Sequence, residues 1–321
     1  MNPLELLRRA AHRIHGFFTE PFTSQDFPKV PWKTNDAIVI FIVSTLMFSA
    51  LIFGGFYVGA AMIDRGLIET PGLLEDLGLE ISTQEAIDLG IIDGFGVMSL
   101  LLLENISVVL VGGIFLQVFL QVALLWVYAR WKYGVPIASF GFRSLPLGML
   151  LIMVVVLFCM SVFIQNGVLA LYHWLGIEDA ASHGGAEQMI TQGAIPLPIL
   201  FLFAGVVAPI LEEIIFRGCF LAGILQNTHA TKALVYSAIF FALAHLNPSF
   251  LFSGPEEGMA MTIPTLAELG TAMILMPIYF LLGLLLGFSF LKTRSLYPGI
   301  VFHMINNTAA LMLLLHSINA N

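Results

Sequence analysis

Long stretches without charged residues constrain the fold of this chain more than any other feature. A transmembrane helix needs about 20 mostly apolar residues. The uncharged stretches therefore predict seven membrane-spanning helices, the fourth of which contains a charged interruption, with an eighth helix at residues 90–106 as an alternative. The stretches are residues 37–63, 106–129, 144–177, 188–211 with 218–231, 233–255, 269–291 and 295–321.

The composition agrees with a membrane location. Only 11% of the residues are charged and 58% are hydrophobic, whereas soluble globular chains have about 25% charged residues. A net charge of -8 argues against a nucleic-acid partner, which would require a basic surface. Cys159 and Cys219 both lie in apolar stretches, so neither a disulfide framework nor a cysteine-rich metal site is expected. We therefore expect an all-α, polytopic helical bundle embedded in a lipid bilayer.

The distribution of loop charges predicts the orientation of the helices. Lys and Arg are enriched in short cytoplasmic loops. All loop cations except Arg65 fall in alternate loops on one side of the membrane, and the loops on the other side are acidic. We expect a cytoplasmic N-terminus and an extracytoplasmic C-terminus, in a pattern that suits a bacterial cytoplasmic membrane.

Three segments are expected along the chain. Residues 1–33 have apolar residues at helical spacing with arginines on the opposite side, which is typical of an amphipathic helix on the cytoplasmic membrane surface; a frayed basic tail is the alternative. Residues 34–194 contain the N-terminal transmembrane helices. An acidic extracytoplasmic loop at residues 64–94 forms either a small cap or a disordered segment. Residues 195–316 form the third segment.

Three charged residues lie inside a stretch that should be membrane-embedded: Glu212, Glu213 and Arg217. Each ionisable group at the bilayer centre costs about 2.5–3.5 kcal/mol. Glu213 and Arg217 are four residues apart, so they can pair on one helix face. Glu212 is rotated by about 100° from Glu213 and projects elsewhere, as a candidate general base. The alternative is a helix that ends at Gly218, with all three charges wetted at the membrane interface.

Further polar residues lie in two later apolar stretches. His245 is near the end of one helix, and His303 and Asn307 are four residues apart on the last helix, so the latter two share a face. Asn306 is almost as well placed as Asn307. Helical spacing therefore does not choose between the two asparagines.

Polar side chains on different helices can contact one another only if they lie at a similar depth in the membrane. If the turn between the fourth and fifth spans is centred on residues 227–230, Glu212 and His245 each lie roughly 24 Å along their helices. They are then level in the membrane, and His303 lies at a similar or slightly shallower depth. If the fourth helix ended at Gly218 instead, Glu212 and His245 would lie near opposite faces.

These motifs resemble those of the CAAX prenyl protease and bacteriocin-processing (CPBP, or Abi) family of intramembrane proteases, to which the Ras-converting endoprotease belongs. The matching motifs are Glu-Glu-x-x-x-Arg at 212–217, Phe-x-x-x-His at 241–245 and His-x-x-x-Asn at 303–307, in the family's order. Each motif alone is weak, but the combination in so hydrophobic a chain is specific. The resemblance covers residues 195–316, which it implies are the catalytic core.

The resemblance implies glutamate-dependent peptide hydrolysis. Glu212 would be the general base that activates a water molecule, and His245 would help to hold that water. His303 and Asn307 would bind the oxyanion that develops on the scissile carbonyl, which favours Asn307 over Asn306. The implied partner is a membrane-anchored protein or a hydrophobic peptide substrate.

The resemblance also implies that Glu213 and Arg217 are a supporting ion pair. We expect no cofactor and no metal, because the chain lacks a His-Glu-x-x-His motif and asparagine is a poor zinc ligand. Three alternatives stay open: a non-catalytic scaffold or bacteriocin-immunity protein with this fold, a zinc-dependent intramembrane protease, and a proton-coupled transporter.

Overall fold

The computed structural model describes residues 5, 30–68, 81–104, 106–177, 196–245 and 273–320. Within these ranges the ordered elements are helices, without strands, as expected for an all-α protein. The predicted amphipathic segment at residues 1–33 lies almost entirely outside the described residues. The proposed segment boundaries at residues 33 and 194 stay predictions.

The described ranges contain nine helices. They are α1 (Thr34–Asp64), α2 (Thr83–Asp88), α3 (Gly94–Glu104), α4 (Ile106–Tyr133), α5 (Leu147–Trp174), α6 (Leu197–Leu225), α7 (Ala230–Ala244), α8 (Met276–Thr293) and α9 (Tyr297–Ala320), with a short 3-10 helix at Ile137–Phe140.

Among the described residues, five helices are long and apolar enough to cross a membrane, so the chain is an integral membrane protein. They are Leu46–Asp64 within α1, α5, α6, α8 and α9, and α7 is a shorter apolar helix. The alternative eighth span corresponds to α3, which has 11 residues. At about 1.5 Å per residue it is shorter than the roughly 30 Å hydrocarbon core. The expected count of seven spans stays a prediction.

Helix α6 runs through the charged motif without a break. It contains two π-helical segments, Phe203–Val207 and Ile214–Leu221, on either side of an α-helical segment, Ala208–Glu213. Short π-helical segments inside α-helices are frequent at functional sites. Because α6 continues to Leu225, the alternative in which this helix ends at Gly218 is wrong.

Helices α6 and α7 form an antiparallel pair around the predicted turn. The turn occupies residues 226–229, and α7 begins at Ala230. The buried hydroxyl of Ser237 on α7 donates a hydrogen bond to the carbonyl oxygen of Phe216 on α6, at 2.9 Å. This bond fixes the depth of α7 beside the charged part of α6.

Helices α8 and α9 complete the bundle around this pair. Helix α7 packs along α8, both α8 and α9 contact α5, and α9 also contacts α6. A Cβ atom at Gly283 would lie 3.0 Å from the Ala238 Cα atom, so this glycine permits the close approach of α8 to α7.

The N-terminal helices are joined at the predicted cytoplasmic end by a cluster around Asp36. Its carboxylate accepts hydrogen bonds from the hydroxyls of Tyr128 and Tyr133, the Nζ of Lys132 and the backbone N–H of Lys33, at 2.7–2.8 Å. Asp36 precedes the membrane-spanning part of α1. Burial raises the pKa of its carboxyl, but these hydrogen bonds outweigh burial and hold the pKa below its usual value.

The described part of the acidic loop packs against the other end of α1. The backbone N–H of Gly94 donates to the Asp64 carboxylate at 2.5 Å. Ile63 of α1 and Val97 of α3 form a small buried cluster beside this bond. This packing favours a small cap over a disordered segment for the described residues of the loop.

Candidate functional site

The ion pair predicted from helical spacing is present and buried. Glu213 Oε1 lies 2.9 Å from Arg217 Nη1, and the two side chains are 1% and 0% exposed. Arg217 Nη2 also donates to the Gly283 carbonyl oxygen at 3.2 Å, and its guanidinium lies 4.5 Å from the Phe241 ring centroid. The alternative in which all three charges are wetted at the interface is therefore wrong.

Glu212 projects away from this pair, as predicted, and faces two histidines. Its Oε2 lies 3.7 Å from His245 Nε2 and 3.8 Å from His303 Nε2. These three side chains, which are far apart in sequence, therefore lie close together, as the similar positions along their helices predicted. Both distances exceed a direct hydrogen bond and are compatible with a bridging water molecule.

His245 lies at the end of α7, where one of its ring nitrogens is hydrogen-bonded to the backbone. Its Nδ1 lies 2.8 Å from the carbonyl oxygen of Phe241. A carbonyl oxygen only accepts hydrogen bonds, so Nδ1 carries the hydrogen in this contact. In neutral His245 the Nε2 atom is then an acceptor, and this is the nitrogen that faces Glu212.

The ring of His245 is packed between two aromatic rings. Phe241 lies 4.5 Å away on one side, and Tyr279 of α8 is stacked on it at 4.3 Å with an interplanar angle of 24°. Tyr279 was not identified from the sequence. It has no charge and belongs to none of the three motifs, so only the packing of α7 on α8 reveals it.

His303 has a carboxylate near each ring nitrogen. Its Nδ1 lies 3.5 Å from Glu213 Oε1, and its Nε2 faces Glu212 as described above. Glu213 therefore lies close to both Arg217 and His303, whereas the sequence predicted only the partner on the same helix. A Cβ atom at Gly299 would lie 2.6 Å from Glu213 Oε2, so the absence of a side chain there leaves room for this carboxylate.

The structure separates the two asparagines that spacing alone left equivalent. Asn307 Nδ2 donates to the Ala204 carbonyl oxygen on α6 at 3.0 Å. Asn306 Oδ1 instead accepts from Ser161 Oγ and Gln165 Nε2 on α5, each at 3.0 Å. Asn307 therefore lies on the side of α9 that contacts the helix of Glu212, and Asn306 lies on the side that contacts α5.

The electrostatics of the site follow from its few charged groups. Two carboxylates and one guanidinium give a formal charge of -1 when both histidines are neutral, in a region with little access to water. Among the described residues, no group of three or more His, Cys, Asp or Glu is arranged to hold a metal ion; the expectation of no metal and no cofactor stays a prediction.

Comparison with known proteins shows a similarity to one family over part of the chain. Residues 194–309 match the family model described as Rce1-like, type II CAAX prenyl endopeptidase. This range contains all three motifs and agrees closely with the residues 195–316 over which the resemblance was seen. No curated protein and no solved structure matches the chain.

Proposed function

Since residues 194–309 of this chain match the Rce1-like family model of type II CAAX prenyl endopeptidases, we propose that the protein is an intramembrane endopeptidase. Its substrate is a membrane-anchored protein or a hydrophobic peptide. The observation that carries this proposal is the position of Glu212 between two histidine Nε2 atoms, at 3.7 and 3.8 Å, in an otherwise apolar bundle.

Glu212 acts as the general base in this mechanism. A water molecule donates one hydrogen to the Glu212 carboxylate and the other to His245 Nε2, which is an acceptor because Nδ1 is committed to Phe241. Glu212 takes the first proton as the water oxygen attacks the scissile carbonyl carbon. It then delivers this proton to the leaving amine. Positioned proton transfer of this kind typically contributes about 10²–10⁴-fold to a rate.

His303 and Asn307 stabilise the oxyanion that develops on the scissile carbonyl. Asn307 has two amide hydrogens, of which the bond to Ala204 uses one. His303 donates from Nε2, the ring nitrogen that faces Glu212, when that atom carries a hydrogen.

Glu213 and Arg217 keep His303 in place. Arg217 holds the Glu213 carboxylate at 2.9 Å, and that carboxylate faces His303 Nδ1 at 3.5 Å. A buried carboxylate beside an imidazole orients the ring, as in other acid–base sites. The ion pair thus supports the reaction without contacting the substrate.

The experiment that tests this function compares membrane proteomes. Cells that produce the wild-type protein, Glu212→Gln or His245→Ala are analysed for new protein termini by mass spectrometry. We expect truncated membrane proteins with wild type and their full-length forms with both variants, at equal protein levels. The exposed Arg143→Met variant serves as a control and retains the wild-type pattern.

The same experiment separates the alternatives. A Glu212→Gln variant that restores every wild-type phenotype and every cleavage product contradicts the proposal and supports a non-catalytic scaffold or immunity role. Stoichiometric zinc in the active purified protein, with activity lost on chelation, supports a zinc protease instead.

We also propose a bacterial cytoplasmic membrane location with the N-terminus inside and the C-terminus outside. Loop charges support this orientation, because Arg65 is alone on the opposite side from the other loop cations. A reporter enzyme that is active only outside the cytoplasm should be active when it is fused after residue 321. A C-terminal reporter that is active only in the cytoplasm contradicts this orientation.

A further inference from the structure

The first π-helical segment of α6 leaves one backbone carbonyl without a helical donor. At the end of Phe203–Val207, the N–H of Ala208 donates to the carbonyl oxygen of Phe203, five residues earlier. The next bond of this series would run from residue 209 to Ala204. Residue 209 is proline, which has no backbone N–H. Pro209 therefore contributes no donor to the Ala204 carbonyl.

Asn307 supplies the missing donor from another helix. Its Nδ2 lies 3.0 Å from the Ala204 carbonyl oxygen. The close approach of the two helices depends on a neighbouring glycine, since a Cβ atom at Gly205 would lie 2.9 Å from Thr308 Oγ1. An unpaired carbonyl in a membrane is costly, and Ala204 is partly buried, which favours formation of this bond.

The bond also fixes which way the Asn307 amide points. Only the NH2 group can face a carbonyl oxygen, so the orientation of the amide is determined by its partner. One hydrogen is used by Ala204, and the second hydrogen lies in the same plane and stays available. An amide held in this way is a preorganised donor for a developing negative charge.

We propose that Pro209 is a positioning residue for the reaction: by withholding a backbone N–H from Ala204, it leaves the carbonyl that orients the Asn307 amide toward the oxyanion. The inference rests on the proposed function and adds a residue to it. Pro209 lies within the charged motif's helix, but it touches no reacting atom. Its effect passes through Ala204 and Asn307.

The test compares two replacements of Pro209 that differ only in the backbone N–H. Pro209→Ala introduces an N–H that can bond to Ala204 and compete with Asn307. A backbone ester at position 209, made with the α-hydroxy analogue of alanine, has the same side chain and no N–H. Cleavage is measured with the purified enzyme in proteoliposomes, using an internally quenched peptide based on a cleavage site found in the membrane proteomes.

We expect Pro209→Ala to lower kcat by about 10–100-fold with little change in KM. Removing one oxyanion donor typically lowers kcat by about 10²–10³-fold, and this variant misorients the Asn307 amide without removing it. The ester variant should stay within about threefold of wild type, since it preserves the free carbonyl. Pro198→Ala is the matched control. Pro198 is in the first turn of α6, where its N–H would have no helical partner, so this variant should be unchanged.

A double-mutant cycle shows whether Pro209 acts through Asn307. In an Asn307→Ala background, Pro209→Ala should lower kcat by less than about threefold further, because the orienting bond is already gone. Fully additive losses, or an ester variant as impaired as Pro209→Ala, would overturn the inference. A purely structural role of the proline ring predicts those results.

A stability measurement keeps this inference separate from the proposed function. If wild type cleaves no peptide, the proposed function fails, but the Asn307–Ala204 bond can still be judged. Asn307→Ala should lower Tm by about 2 °C in the wild-type background and by less than half of that beside Pro209→Ala. Equal Tm losses in the two backgrounds would contradict the proposed link.

Discussion

Replacing Arg217 by methionine tests the buried ion pair most sharply. The variant leaves the Glu213 carboxylate, which is 1% exposed, without the guanidinium that lies 2.9 Å from it. At an effective dielectric constant of about 20, the attraction across this distance is about 6 kcal/mol. Removing one partner of a buried pair typically costs about 3–5 kcal/mol. Since His303 Nδ1 is also near Glu213, at 3.5 Å, we expect a loss of about 3 kcal/mol.

The assay uses the two cysteines of the chain. Cys159 is exposed and Cys219 is buried. In a Cys159→Ser background, reaction of Cys219 with a fluorescent maleimide in detergent therefore reports unfolding. A loss of about 3 kcal/mol changes the unfolding equilibrium by about 10²-fold. We expect Arg217→Met to be modified at a correspondingly lower temperature or denaturant concentration.

Two further variants decide whether charge is the cause. The double variant Glu213→Gln/Arg217→Met removes the unpaired charge and should regain at least half of the lost stability. The exposed Arg143→Met control should stay within about 0.5 kcal/mol of wild type. An Arg217→Met protein as stable as wild type, or a double variant no more stable than the single one, would show that the buried ion pair does not stabilise the fold.

Two other predictions concern glycine packing and acid stability. Gly299→Ala should lower kcat at least about tenfold, because its Cβ would lie 2.6 Å from Glu213 Oε2. The control Gly167→Ala should leave kcat unchanged, because no atom lies within 4 Å of its Cβ. Equal turnover by the two variants would contradict this prediction. The Asp36 carboxyl has a lowered folded-state pKa, so its contribution to stability is complete above about pH 3.9 and is lost as the pH falls through the folded value. The Tm difference between wild type and Asp36→Asn should therefore be larger at pH 6 than at pH 3, and a difference that does not change with pH would contradict the role of the Lys132 contact.

The parts of the site that depend on one helix were predictable from the sequence. Glu213 and Arg217 meet because residues four apart share a helix face. Glu212 and His245 are level because each lies a similar number of residues from the turn at 226–229. Both inferences need only the rise and period of a helix, which vary little between proteins.

The parts that depend on the rotation of one helix against another were not predictable. Spacing placed Asn306 and Asn307 equally well, and only the contacts with Ser161 and Ala204 separate them. The stacking of Tyr279 on His245 likewise depends on how α8 packs against α7.

The π-helical segment Phe203–Val207 was also not predictable from the sequence. A proline inside an apolar helix indicates that one hydrogen bond is missing, but not which carbonyl is released. In a regular α-helix that carbonyl would belong to Gly205, four residues before Pro209. The π-helical segment moves it to Ala204, and this shift of one residue brings the carbonyl to Asn307.

Single-turnover cleavage by the purified protein shows whether Glu212 activates water for peptide hydrolysis. Wild type and Glu212→Gln are reconstituted in proteoliposomes with chelator present, and cleavage of the same quenched peptide is followed. We expect cleavage by wild type and a loss of at least about 10²-fold with Glu212→Gln, at equal thermal stability. Equal cleavage rates for the two proteins would contradict it.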